Sequence, residues 1–290
     1  MAVAADTLID EPRRRFSLWQ AIRRNPTITF GAVLLALLVL LAIFGPQFVG
    51  DPFKISPRDR LRPPSERFWF GTDQFGRDVF TRTVWGARVS LIVGLSVAAI
   101  SSILGLALGL LCGYFRRVDG FVMRIMDGVM AIPSILLAIA LITLTKPGLG
   151  IVIVAIVIPE VPRIVRVVRA VVLSIRAQPY VESAIAGGTR HVRLLVRHVL
   201  PNTLAPLIVQ ATYVCASAML IESGLSFLGA GVPPEVPSWG NIIAQGRTFF
   251  QIAPWNILIP GSFLAVTVLA VNLLGDGLRD RLDPRLARRL

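Results

Sequence analysis

Charged side chains are scarce in this sequence. They make up 16% of its 290 residues, where a soluble domain carries about a quarter. Apolar residues make up 54%, and the shortage of charge excludes an ordinary water-soluble fold. Lipid admits only helices and closed barrels. The apolar runs are too long and unbroken for barrel strands, which alternate over about 10 residues, so the chain reads as an all-α, polytopic membrane protein. Histidine and cysteine are nearly absent, at two each. Cys112 and Cys215 lie inside apolar runs without metal-ligand spacing and read as small membrane-helix residues. His191 and His198 have no carboxylate or cysteine partners at ligand spacing and read as surface or helix-packing side chains. No G-x-x-x-x-G-K-[ST] sequence occurs, so any ATPase that drives this chain is a separate polypeptide. No Ser/His/Asp or paired-carboxylate arrangement stands out, and nothing points to catalysis or to a bound metal or cofactor in this chain.

Positive charge is what the sequence has in excess, at a net +13. The arginines cluster at the ends of apolar runs, which is the signature of membrane topology rather than of nucleic-acid recognition. Their predominance over lysine suits a GC-rich bacterial genome. The first 26 residues hold Asp6, Asp10, Glu11 and five Arg and lack the features of a cleaved signal.

Six apolar stretches are long enough to span about 30 Å of hydrocarbon at about 20 residues each. They lie near 28–49, 89–113, 126–145, 149–169, 203–222 and 257–275. Only Lys146-Pro147-Gly148 separates the third from the fourth, which predicts a tight helical hairpin. Pro133, Pro159 and Pro162 lie in or near spans and predict kinks. Basic residues accumulate in the N-terminal tail, at 116–124, at 163–197 and in the C-terminal tail. In a six-span chain these four segments share one side, so they are expected in the cytoplasm, with both termini. The expected organisation is a cytoplasmic tail at 1–27, a first span at 28–49, an extracytoplasmic loop at 50–88, a five-helix core at 89–275 with a coupling loop at 176–201, and a cytoplasmic tail at 276–290. The loop 50–88 weakens the charge rule, since it carries Lys54 and seven Arg partly balanced by acidic residues.

Four ordered motifs carry a family resemblance. The segment from Tyr180 to Pro206, YVESAIAGGTRHVRLLVRHVLPNTLAP, is polar and basic between two apolar runs. Its Glu182, Ser183 and Ala184, with Gly188 four residues on and Leu200-Pro201 after, resembles the EAA loop of bacterial ABC-importer permeases. The family pattern has Ala in place of Ser183 and often Ile in place of His198. The strings FGTDQFGRDVFTRTVWGARVSLIVG at 70–94, ESGLSFLGAGVPPEVPSWGNII at 222–243 and GDGLRDRLDPRL at 275–286 resemble the C-type permease subunit of dipeptide and oligopeptide importers. Nickel-importer permeases are close relatives.

The resemblance implies a type I ABC-importer permease fold with six transmembrane helices, the first peripheral. It also implies import of peptides by alternating access across a bacterial inner membrane. The implied partners are a second permease in a heterodimer, two ABC ATPases that bind ATP and Mg, an extracytoplasmic peptide-binding protein and membrane lipid, with no nucleic acid. It implies an ATPase-coupling helix from Tyr180 to His191, with Tyr180, Glu182, Ser183, Ala184, Gly188 and Arg190 as its working residues.

Other residues have two readings. Asp73, Arg77 and Asp78 form either a self-paired loop or a contact for the binding protein or the peptide itself. Glu160 is either a helix-end carboxylate near Arg163 or part of the pathway. Glu222 either caps the following segment or lines the path. Residues 224–246, broken by Gly and Pro, predict a short interfacial or re-entrant segment that either simply packs or presents Trp239 to the binding protein, with Trp239 and Trp255 suited to the membrane interface. Nickel as cargo and a secondary transporter or channel are the alternatives. The latter predicts inverted repeats or intramembrane ion-pair relays, and neither is seen.

Overall fold

The computed structural model describes residues 26–145 and 148–282. The N-terminal tail through residue 25, Lys146-Pro147 of the expected hairpin turn, and the end of the C-terminal tail with Arg285 lie outside the described residues. Among the described residues every regular element is helical, apart from an isolated bridge between Thr72 and Asp78.

Helix α1 spans Pro26–Phe48. The second apolar run places a span at 89–113, but α2 occupies Val79–Tyr114, 36 residues. The earlier start has a local cause. Asp78 is extended at the N-cap, and its carboxylate accepts from the backbone N–H groups of Phe80 and Thr81, satisfying two of the four donors a helix start leaves open. At 1.5 Å per residue, α2 is about 54 Å long and projects beyond a bilayer core. The loop before it therefore ends at Asp78 rather than at residue 88.

The third span is not one helix. Helix α3 covers Arg116–Met130 and α4 covers Ser134–Thr143, with an 88° bend between them. Pro133 lacks an N–H and disfavours helical geometry in the residue before it. No residue of α3 is buried, and its five charges suit an interface rather than hydrocarbon. Helix α5 runs Leu149–Arg176 and includes Pro159 and Pro162. Helix α6 is Pro179–Ala186. Helix α7, His191–Leu194, continues through a π turn at Leu195–Val199 into α8, Leu200–Phe227. The Leu200 N–H reaches back to Leu195 O, and this wider turn precedes Pro201, whose ring disfavours a regular turn behind it. Helix α9 is Trp239–Gly246 and α10 is Trp255–Leu282.

Four helices (α1, α2, α7–α8 and α10) are long and apolar enough to cross a membrane, or five units if the bent α3–α4 pair is one span. Helix α5 has the length but carries Glu160, Arg163, Arg166, Arg169 and Arg176. The described residues thus do not yield six uniformly apolar spans.

Helix α2 is the central strut and packs on α1, α5 and α8, while α10 closes the bundle against α1, α8 and α9. The contact with α5 is close because Gly105, Gly109 and Gly113 recur every four residues. A Cβ at these positions would come within 2.5–2.6 Å of Ile164, Val168 and Val172. Small residues at such spacing let helix backbones approach in lipid, where van der Waals packing replaces the hydrophobic drive.

Candidate functional site

The polar segment between α5 and α8 builds a small protruding helix. Pro179 opens α6 in the first turn, where its missing N–H costs no intrahelical bond. Glu182 lies in that turn, where the helix dipole favours a carboxylate. Val181 is fully buried and roots the helix, while Tyr180, Glu182, Ser183 and Ile185 are exposed and Ala184 is partly exposed. The Ser183 hydroxyl donates to Pro179 O at 2.8 Å.

The continuous helix expected from Tyr180 to His191 is not formed. Helix α6 stops at Ala186 in a Schellman arrangement. Thr189 N–H donates to Ala184 O at 3.0 Å, Gly188 N–H donates to Ile185 O at 3.0 Å, and Gly188 has φ +76°. A left-handed residue at that position is what this closure requires, and glycine adopts it without a Cβ penalty. The chain then turns through Arg190, the exposed N-cap of α7. The Tyr114 hydroxyl lies 2.5 Å from His191 Nδ1, so the end of α2 holds the start of α7.

At the other end of α2, Asp73 is enclosed. Its Oδ1 accepts from the N–H groups of Phe75 and Arg77, and its Oδ2 meets Arg77 Nε at 2.6 Å and Arg82 Nη1 at 3.3 Å. Arg77 Nη2 also donates to Gln245 of α9 at 2.6 Å. Asp73, Arg77 and Arg82 are 6%, 8% and 1% exposed. Asp78 is the cap of α2. Of the two readings, the geometry gives the self-paired loop. The turn depends on Gly76, where φ is +73° and a Cβ would lie 1.9 Å from Ser56 O. Nearby, the Ser56 hydroxyl donates to Asp59 at 2.8 Å. That bond, with Arg62 and Arg67 alongside, holds the Asp59 carboxyl below its ordinary range.

Trp239 is not a surface anchor. It is fully buried, its Nε1 donates to Thr83 O at 2.9 Å and its backbone N–H donates to Ser90 Oγ at 3.3 Å. The broken segment folds inward because its indole and backbone donors find partners on α2. Trp239 therefore has no surface to offer a binding protein, nor does it sit at a membrane interface. Trp255 is partly buried and donates to Thr72 O at 3.2 Å. Glu222 is buried against Gly240 at the start of α9, accepting from the hydroxyls of Ser226 and Ser238, both at 2.8 Å. It ties α8 to the N-cap of α9, which is the orienting reading of that residue.

Glu160 pairs with Arg163 as the sequence suggests, at 3.1 Å, and accepts from Ser217 Oγ at 3.3 Å. It is not at a helix end, because α5 continues to Arg176. The carboxylate sits 1% exposed between Pro159 and Pro162, against α8, while Arg163 is about half exposed.

Sequence reasoning missed a set of inter-helix pairs. Arg169 pairs with Asp119, and Arg166 Nη2 meets Asp127 at 2.6 Å. Arg176 Nη1 donates to Tyr114 O at 2.7 Å, an orphan carbonyl at the end of α2. These arginines read in sequence only as topology markers. The sole available signal was the two acids of α3, Asp119 and Asp127, within a basic loop. Both cysteines are buried and free, and no metal-holding group of acids, His and Cys occurs among the described residues.

Comparison with known proteins identifies this arrangement. The family model described as "Binding-protein-dependent transport system inner membrane component" matches residues 105–288. A second, "N-terminal TM domain of oligopeptide transport permease C", matches residues 15–64. A probable peptide ABC transporter permease protein of Sinorhizobium fredii is 54% identical over 290 residues, the whole of both chains. A dipeptide transport system permease protein of Alkalihalophilus pseudofirmus is 42% identical over 270 residues, 92% of this chain and 89% of that protein. An oligopeptide transport system permease protein of Bacillus subtilis is 36% identical over 284 residues, 95% and 92% respectively. Among solved structures, the inward-facing MetNI methionine ABC transporter superposes with a TM-score of 0.56 at 20% identity, covering 70% of this chain and 96% of that one. At that identity the likeness is one of fold.

Proposed function

Because this chain belongs to the family of binding-protein-dependent transport system inner membrane components, we propose that it forms half of the pathway through which an ATP-driven importer moves dipeptides and oligopeptides by alternating access. The family is one of membrane permease subunits. ATP and Mg act on separate ATPase subunits, and this chain is not itself an enzyme. The second half of the pathway is a different permease, giving a heterodimer. An extracytoplasmic binding protein delivers the peptide. The peptide cargo rests on the names of the three relatives, none of which mentions nickel.

The observation that carries the mechanism is the geometry of α6. It is a short helix rooted by one buried residue, Val181, and exposed along Tyr180, Glu182, Ser183 and Ile185. It hangs between α5 and α8 on a stiff Gly188 turn. A helix held this way suits docking into an ATPase cleft and moves with α5 and α8 as a lever. Such motion requires contacts that differ between the two states of the importer. Glu160 and Arg163, at the middle of α5, are the polar groups proposed to border the path.

With Trp239 buried, the proposed docking surface for the binding protein moves to the loop before α2. Phe53, Ile55, Trp69 and Phe75 are 53%, 60%, 65% and 44% exposed there, and an exposed aromatic on a braced loop resembles an interface anchor.

The direct test is uptake by the reconstituted four-subunit complex with its binding protein. Labelled dipeptide should enter vesicles in proportion to ATP hydrolysed. Uptake of nickel without peptide stimulation would assign the cargo to the metal relatives instead.

The orientation has its own expected result. With Cys112 and Cys215 replaced, single cysteines at Ser65 and Ser183, both exposed, should react with an impermeant thiol reagent from opposite sides of the membrane. Ser65 should label from outside and Ser183 from the cytoplasm. Reaction of both from one side would overturn the proposed topology.

A further inference from the structure

At the end of α2 the chain opens a cavity of about 1010 Å³. Arg116, Arg117, Arg169 and Arg176 line it, against one carboxylate, Asp119. Asp119 is taken by Arg169, and Arg176 is bonded to Tyr114 O. Arg116 and Arg117 are exposed and make no ion pair among the described residues. Apart from His191 the remaining wall is largely apolar, with Leu173 and Ile185 42% and 47% exposed. The site thus joins uncompensated guanidinium groups to a greasy surface.

Its place along the fold narrows the ligand. The apolar run of α2 ends in Tyr114-Phe115 followed by Arg116-Arg117, an aromatic and then a basic pair. That order marks a membrane–water boundary, and α3 leaves it as an amphipathic helix with no fully buried residue. We propose that this cavity binds the phosphate headgroup of an anionic phospholipid, with Arg116 and Arg117 as its charge partners and an acyl chain against Leu173. The inference stands on the membrane placement of α2 rather than on the cargo.

A lipid there touches three things at once. It lies beside the α2–α3 corner, beside α5, and beside Ile185 and His191 of the proposed coupling segment. A phosphate neutralising Arg116 and Arg117 would hold the Tyr114–His191 contact in a less cationic setting. The bound lipid is thereby part of the brace between α2 and α7. Basic pockets between membrane helices are suited to such headgroups, and each arginine near an anionic surface adds to the attraction.

The test uses the purified importer complex in nanodiscs, titrated with phosphatidylglycerol against a phosphatidylcholine background and read by native mass spectrometry. Wild type should retain phosphatidylglycerol in preference to phosphatidylcholine. The double variant Arg116→Gln/Arg117→Gln should bind it about tenfold more weakly or worse, given two lost charges. The control Arg193→Gln/Arg197→Gln, exposed arginines outside the cavity, should bind as wild type does. Equal loss in the control would reduce the effect to general surface charge and overturn the site. Displacement of the lipid by glycerol phosphate alone would make it a free-phosphate site and overturn the lipid assignment. As a second reading, peptide-stimulated ATP hydrolysis of wild type should fall when phosphatidylglycerol is left out, and that of the double variant should already be low. A complex that transports normally yet shows no lipid preference would sink this proposal and leave the proposed function standing.

Discussion

Asp73→Ala is expected to destabilise the end of the bundle at the start of α2 by about 3–5 kcal/mol, because it strands two guanidinium groups in a place from which water is excluded. Arg77 and Arg82 are 8% and 1% exposed and share this one carboxylate. Arg82 Nε and Nη2 already lack a partner. The same change removes the acceptor for the Phe75 and Arg77 N–H groups that shapes the turn. Cys112 and Cys215 are buried, so a thiol-reactive dye reports unfolding of the purified complex without further labelling. The Asp73→Ala midpoint should fall well below that of wild type. Adding Arg82→Met should recover part of the loss, since an apolar side chain leaves no buried charge behind. An unchanged midpoint in Asp73→Ala would show that water reaches the cluster. It would also revive the reading of Asp73 as a contact for an external partner.

The second large effect concerns coupling, and it separates function from stability. Gly188→Val forces a β-branched residue into left-handed backbone, at a cost of about 1–2 kcal/mol. Nothing lies within 4 Å of a Cβ at that position, so the strain is in the backbone rather than in packing. A membrane bundle tolerates a cost of that size, and insertion should be normal. The Schellman closure should not be tolerated, and α6 should lose its direction. Glu182→Lys reverses the charge in the first turn of α6, against the helix dipole, without disturbing a buried contact. Both variants should assemble at wild-type levels and lose peptide-stimulated ATP hydrolysis in proteoliposomes. Wild-type stimulation in both would falsify the assignment of α6 to ATPase docking. Loss of assembly in Glu182→Lys would place that residue in the fold instead, which its exposure argues against.

What the sequence by itself determined follows from local chemistry. Scarce charge and long apolar runs sufficed for an all-helical membrane protein, because only helices and closed barrels satisfy their own backbone hydrogen bonds in lipid and unbroken runs do not suit barrel strands. The ordered motifs sufficed for the family. Glu160 with Arg163, three residues apart on one helix, was also within reach of sequence reading.

The tertiary structure decided the rest, since it depends on what lies across the bundle. A hydropathy window at 126–145 joins residues that Pro133 separates by an 88° bend, because averaging hydrophobicity discards direction. Arg166 and Arg169 look like topology markers until α3 brings Asp127 and Asp119 to them from about 40–50 residues away in the chain. Trp239 sits among glycines and prolines and resembles an exposed anchor. Its burial is settled by Thr83 and Ser90, about 150 residues earlier, whose oxygens accept its two N–H groups. An indole with a partner for its donor is more stable inside than out, and only the packing of α9 on α2 could supply that partner.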